Sequence, residues 1–251
     1  MFQFHAAGLL FEVGFLYDLF LPNPLIFLMF SESARVVYLF CHSARNLGVM
    51  FDCGLIMKQQ VDRICQTAYF ELRRIGSIVS FLLLRPQKFF TSLVLSRLDY
   101  CNSLMAGIPQ KLANKVRRVM NCAALLVCKA PKREHVTSLL VDLHWLPVER
   151  RTEYKIATIR SNLITGTGPP YLSDLLELYT PSRTLRSSAD TRIFRSPNRR
   201  KRFQGQRAFF CLFLIGPSIW NNLPFSRRHA QTLSAFKSQL KTHLFSISYS
   251  Y

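Results

Sequence analysis

The sequence predicts a mainly helical protein: a helical bundle, a smaller helical C-terminal region with a long basic loop, one residual strand and a hydrophobic N-terminal extension. Three observations predict it. Apolar residues recur at three- and four-residue spacing in three long stretches, the period of an amphipathic helix. Only one short stretch alternates like a half-buried strand. The composition also breaks near residue 43.

The break is one of charge. The chain has 251 residues, 49% of them hydrophobic, enough to bury a core and too apolar for a wholly disordered chain. Lys and Arg number 33 against 14 Asp and Glu, a formal charge of +19. Before Ser43 there is one Arg (Arg35) against Glu12, Asp18 and Glu32; from Ser43 onward the net charge is +21. A basic excess of that size points to a polyanionic partner, nucleic acid or an anionic membrane surface.

In the extension, the apolar run between Leu9 and Phe30 invites a membrane reading. Glu12 and Asp18 interrupt it, and each costs about 2.5–3.5 kcal/mol at the centre of a spanning helix. Pro22 and Pro24 break it further, and no Lys or Arg precedes it as a signal peptide requires. Residues 1–43 are therefore expected to be a hydrophobic extension, with membrane insertion as the alternative.

Residues 44–57 hold the strand, where Leu47, Val49 and Phe51 alternate before a turn at Gly54. Residues 58–168 are expected to form the bundle. Val61, Ile64, Cys65, Ala68, Leu72, Ile75, Val79 and Leu82 make the stripe of a long helix that Pro86 ends, with Arg63, Arg73 and Arg74 off the stripe. Phe90, Leu93, Val94 and Leu98 suggest a second helix. A third follows Pro109, with Leu112, Val116, Val119, Ala123 and Val127 on one side and Lys111, Lys115, Arg117 and Arg118 on the other. Thr137 is placed to cap a short helix ending near Trp145, and Pro147 to open another that turns Val148, Thr152, Ile156, Ile159 and Leu163 inward. The break at 166–170 (Gly166, Gly168, Pro169, Pro170) leads into residues 169–251, with a short helix over 171–178 and a last one over 233–245 that buries Phe236, Leu240 and Leu244.

Within the C-terminal region, residues 181–207 carry Arg183, Arg186, Arg192, Arg195, Arg199, Arg200, Lys201, Arg202 and Arg207 against the single acid Asp190. Ser, Thr, Pro and Asn fill the gaps, so a packed helix is not expected there. Guanidinium groups at this density bind phosphates by forked hydrogen bonds and counterion release. A solvated charge run is the plainer alternative. Ile193, Phe194 and Phe203 either stack on bases or anchor the loop to the core.

The seven cysteines are scattered without a CxxC pair, which fits a reducing compartment, nuclear or cytoplasmic. Cys122, Cys128, His135 and His144 match no standard zinc spacing, and buried thiols are favoured over a metal. Trp145 and Trp220 sit among apolar residues and prolines, as core anchors do. Asp99 beside Tyr100 reads as helix packing or capping. No Walker loop, GxSxG elbow, HExxH or paired-carboxylate motif occurs, so no catalytic residue, cofactor, metal or small-molecule substrate is expected.

Several stretches then add up: ARNLGVMFD (44–52), SRLDYCNSLMAGIP (96–109), LHWLPVERRTEYKI (143–156), PPYLSDLLELYTPSRTLRSS (169–188), GPSIWNNLP (216–224) and SAFKSQLKTHLF (234–245). In order and spacing they resemble the C-terminal third of the reverse transcriptase of LINE-type (non-LTR) retrotransposons, in the jockey-like and chicken-repeat-like group. The resemblance implies that LGVMFD is the last strand of a polymerase palm, that 58–168 is thumb-like, and that 169–251 is post-thumb. A thumb grips a template–primer duplex by its backbone. The family's YADD-type catalytic motif would precede LGVMFD; residues 1–43 do not contain it.

The expectation is thus a non-catalytic remnant of an RNA-directed DNA polymerase, binding RNA or an RNA–DNA hybrid through phosphates. The residues expected to do so are the nine cations of the loop and Arg73, Arg74, Lys111, Lys115, Arg117 and Arg118. The alternatives are a membrane-associated basic protein anchored between Leu9 and Phe30, or a translated element fragment without a selected function. That last reading expects the strand to lack sheet partners and its edge to aggregate.

Overall fold

The structure, a computed structural model, describes residues 43–52, 54–78, 90–174, 176, 179, 193–194 and 215–249. The hydrophobic extension, the stretch from Val79 past Pro86, and all of the 181–207 loop except Ile193 and Phe194 lie outside the described residues. The described part is mainly helical, with a single two-stranded sheet.

That sheet corrects the expectation of a lone strand. β1 (Ser43–Asn46) and β2 (Val49–Asp52) form an antiparallel hairpin in which Asn46 faces Val49. Leu47 and Gly48 make the two-residue turn at φ 44° and 85°, both left-handed as a type I′ turn demands. Leu47 is therefore an exposed turn residue, while Val49 and Phe51 are buried. The strand has a partner, and two side chains from outside the sheet fasten the hairpin, one at the edge of β2 and one at the turn. Gln60 Oε1 accepts the Met50 N–H at 2.9 Å, and the Tyr100 hydroxyl donates to the Leu47 carbonyl at 2.6 Å.

Asp52 then starts the first helix, α1 (Lys58–Ile78). Its carboxylate accepts the N–H groups of Met57 (3.0 Å) and Lys58 (3.4 Å), where a helix has unpaired donors and favours negative charge. The α1 stripe Val61, Ile64, Cys65, Ala68, Leu72 and Ile75 is buried throughout. A π-helical turn (Thr91–Leu95), α2 (Ser96–Asp99) and a 3₁₀ turn (Asn102–Met105) follow. α3 (Gln110–Val127) begins right after Pro109 and buries Leu112, Val116, Val119, Met120, Ala123 and Ala124 against α1. Each such Val, Leu or Met contributes about 1.5–3 kcal/mol on full burial.

α3 and α4 (Val136–Asp142) end alike, and neither uses glycine. Lys129 (φ 51°) and His144 (φ 54°) take the left-handed position after the helix. Ala130 N–H then reaches Leu125 O, and Trp145 N–H reaches Leu140 O, both at 2.9 Å, the long bond of a Schellman motif. Thr137, expected to cap α4, lies inside its first turn; His135 holds the cap position. α5 (Val148–Ile164) follows Pro147, and α6 (Pro170–Ser173) is one turn, shorter than the sequence suggests. α7 (Gly216–Asn221), α8 (Phe225–Arg228) and α9 (Leu233–Tyr249) complete the order.

The chain divides into two compact units, one of residues 43–151 with 245–249 and one within 152–244. The first is built on the α1–α3 core, which includes Trp145. It also holds the end of α9, which runs four residues past the expected Phe245: the Tyr249 hydroxyl donates to Trp145 O at 2.7 Å. The second is built on aromatic rings. Trp220 lies edge-on to Phe194 (6.2 Å) and tilted on Phe236 (5.5 Å), with Leu163, Leu172 and Leu240 buried as well. Gly168 packs closely there: a Cβ would lie 2.6 Å from Leu163 Cδ2 and 3.4 Å from Leu163 Cα, so the Leu163 side chain would have to turn aside. Thr232 caps α9, its hydroxyl accepting the Ala235 N–H at 3.1 Å. Among the described residues no helix is long and apolar enough to cross a membrane.

Candidate nucleic-acid interface

Because α1 and α3 meet through their apolar stripes, their remaining faces carry the cations. Arg63, Arg73 and Arg74 of α1 and Lys111, Arg117 and Arg118 of α3 are exposed, and Lys115 is partly buried. The structure separates them by what they touch. Lys115 pairs with Asp62 at 2.5 Å and Arg117 with Glu149. Arg74 lies 3.5 Å from Glu71, whose other oxygen holds Arg97 at 3.2 Å. Among the described residues Arg63, Arg73, Lys111 and Arg118 make no ion pair. Of the seven cations expected on these two helices, these four have no carboxylate partner, and Lys58 at the start of α1 is exposed without one too.

A second cationic group escaped the sequence reading. Lys129, Lys132 and Arg133 are exposed on the connection between α3 and α4. The signal was present as the run KAPKR directly after a helical stripe. The left-handed turn at Lys129 is what gathers the run at the end of α3.

Between α1 and α3 the surface opens into a cavity of about 520 Å³, lined by Tyr69, Leu72, Arg73, Gly76, Cys122 and Leu126. Burial is the main cause that holds the Tyr69 hydroxyl above its ordinary range, with the Cys122 thiol beside it adding to the effect and Arg118 opposing it. Phe70, next in sequence, is 53% exposed, and the Arg74 guanidinium lies 5.6 Å from its ring centre.

The 181–207 loop contributes one described contact region. Phe194 is buried, with the Arg160 guanidinium 3.9 Å from its ring centre, so it anchors the loop and is not a surface for bases. Its backbone is clamped at both ends by one side chain: Asn221 Oδ1 accepts the Phe194 N–H (3.0 Å), and Asn221 Nδ2 donates to the Phe194 carbonyl (2.8 Å). Ile193 O accepts the Tyr179 N–H at 2.9 Å. Arg183, Arg186, Arg192, Arg195, Arg199, Arg200, Lys201, Arg202 and Arg207 lie outside the described residues, as does Phe203.

The remaining chemistry-bearing groups are engaged in structure. Asp99 meets Arg151 at 2.5 Å and accepts from Asn102 Nδ2 at 3.3 Å. His144 stacks on Phe245 with ring centres 5.8 Å apart. Trp145 and Trp220 are both buried. Burial, then Asp62, pushes the Cys65 thiol up to about 11, so it is protonated at neutral pH. Burial likewise raises Cys128. Among the described residues no three His, Cys, Asp or Glu side chains come together in a group able to hold a metal ion. No family model, curated protein or solved structure matches the chain.

Proposed function

We propose that the chain is a non-catalytic remnant of a LINE-type RNA-directed DNA polymerase that binds RNA or a template–primer duplex through backbone phosphates. The observation that carries this reading is the charge left over on the α1–α3 pair. Asp62, Glu71 and Glu149 are each taken by a cation, yet Arg63, Arg73, Lys111 and Arg118 stay exposed without one. Lys129, Lys132 and Arg133 extend the same sign to the end of α3. Guanidinium and ammonium groups at a helix surface contact phosphates without reading bases, so binding is indifferent to sequence. Each neutralised phosphate releases condensed counterions. The non-catalytic part of the reading is supported by residues 1–43, which carry no YADD-type motif.

The test is a salt titration of full-length protein against an RNA–DNA hybrid, followed by fluorescence anisotropy. Affinity should fall with salt at a log–log slope of about −0.9 per phosphate contacted. Joint substitution Arg73→Gln, Lys111→Gln and Arg118→Gln should make that slope shallower by about 3 units, the loss of three contacts, at unchanged helical content. Undetectable or salt-insensitive binding would sink the reading, as would an unchanged slope in the triple variant. Extension of an annealed primer with deoxynucleotides and magnesium would overturn its non-catalytic part.

A further inference from the structure

We propose that the cavity between α1 and α3 takes an unpaired nucleotide, so that the chain captures single-stranded segments and does not only grip duplex. This rests on the phosphate-binding reading above and adds a base slot to it. Tyr69, Leu72, Arg73 and Gly76 fall at i, i+3, i+4 and i+7 of α1, one face of the helix. Cys122 and Leu126 lie four apart on α3, and Arg118 precedes Cys122 by the same step, so that guanidinium stands one turn along the same face.

The walls suit a base and the ends suit its phosphates. Leu72, Leu126 and the Cys122 sulfur are apolar, Tyr69 supplies an aromatic ring, and among the described residues no carboxylate lines the space. Arg73 at the rim and Arg118 beyond it are exposed and make no ion pair among the described residues. A volume of about 520 Å³ is in the range of sites that hold small organic groups. On the next position of α1, Phe70 presents a half-exposed ring backed by Arg74, the pairing on which a neighbouring base stacks. An acidic peptide would satisfy the arginines too. The aromatic rings at and beside the slot favour the nucleotide, because stacked planes are what single-strand binders use. Bases already paired and stacked inside a duplex cannot enter.

Gly76 makes the slot testable without touching a charge. Among the described residues a Cβ added there meets Leu126 Cδ2 alone, at the ordinary contact distance of 3.8 Å, so Gly76→Ala should fold normally. Gly76→Leu should fill the slot. Full-length wild type and both variants are titrated with single-stranded oligouridylate, with an RNA–DNA hybrid and with an acidic amphipathic peptide. Gly76→Leu is expected to weaken the oligouridylate about tenfold and to leave the hybrid unchanged. In a separate measurement on the wild type, a 4-thiouracil oligonucleotide should photo-crosslink to Tyr69, read by mass spectrometry. Binding of both nucleic acids that Gly76→Leu leaves unchanged, with crosslinks elsewhere, overturns the slot and spares the phosphate reading. Loss of peptide affinity in Gly76→Leu with oligouridylate unaffected also overturns it. Absence of binding to either nucleic acid in the wild type ends the phosphate reading itself.

Discussion

The two compact units handle polar groups in opposite ways. In the first, the core around α1 and α3 is apolar, and its few buried polar side chains find partners nearby: Gln60 the Met50 N–H, Glu71 the guanidinium groups of Arg97 and Arg74, and Asn102 Nδ2 the Asp99 carboxylate, which leaves Asn102 Oδ1 as the one end without a partner among these. Its other ion pairs lie nearer the surface, and Arg63, Arg73, Lys111 and Arg118 stay exposed without one among the described residues. In the second, α5 is buried almost all round, and Thr158, Arg160, Ser161 and Asn162 go in with Ile156, Ile159 and Leu163. Arg160 is 2% exposed, lies over the face of Phe194, and is pushed down to about 9 by burial. The first unit pairs its buried carboxylate, Glu71, with arginines that water still helps to solvate. The second puts a guanidinium where an aromatic face replaces part of that solvation. Removing one partner should therefore cost little in the first and much in the second.

The largest effect is expected in the second unit. Phe194→Ala removes a buried ring, the edge contact to Trp220 and the surface under Arg160, and should cost about 3–5 kcal/mol by chemical denaturation. A loss below about 1 kcal/mol would break the comparison, since that is what an ordinary surface site gives. The matching change in the first unit is Glu71→Gln. Its two arginine partners are 45% and 63% exposed in their side chains, so water takes over much of their solvation, and the loss should be about 1 kcal/mol. A larger loss than at Phe194 would reverse the contrast.

The smallest effect at neutral pH grows only in alkali. Burial pushes Tyr249 up to about 12 and Cys65 up to about 11 from ordinary values near 10 and 9. Both are acids whose neutral form the fold favours. The unfolded chain therefore loses these protons first, and stability falls as pH rises from about 9 to about 12. The buried Arg160 has the opposite sign: the unfolded chain keeps its proton longer, so stability gains with pH above about 9. Tyr249→Phe with Cys65→Ala should flatten the alkaline fall in denaturation curves measured across that window. An unchanged slope would show that these groups are as solvated when folded as when unfolded.

How much of this the sequence carried differs between the units for the same reason. Where one face is wet, periodicity reports burial: the α1 stripe is buried from Val61 to Ile75, its last two members Val79 and Leu82 lying outside the described residues. The α3 stripe is buried from Leu112 to Ala123 with Val127 partly so, in a helix that starts right after Pro109 as expected. Where a helix is buried all round, periodicity has nothing to report, so Arg160 passed unnoticed. The hairpin was hidden by its turn. Leu-Gly lacks the Asn-Gly signature of type I′ turns, so Leu47 counted as one more inward residue of a single strand. In the candidate interface, the cationic faces were legible but their partners were not. Asp62 lies 53 positions from Lys115, and Glu149 lies 32 from Arg117. A helical wheel sees neither.

The clamp of Asn221 on Phe194 lets a single amide side chain do what a neighbouring strand does in a sheet, accepting from the residue's N–H and donating to its carbonyl. Both backbone polar groups of the residue that carries the buried ring are thereby satisfied from one position on α7.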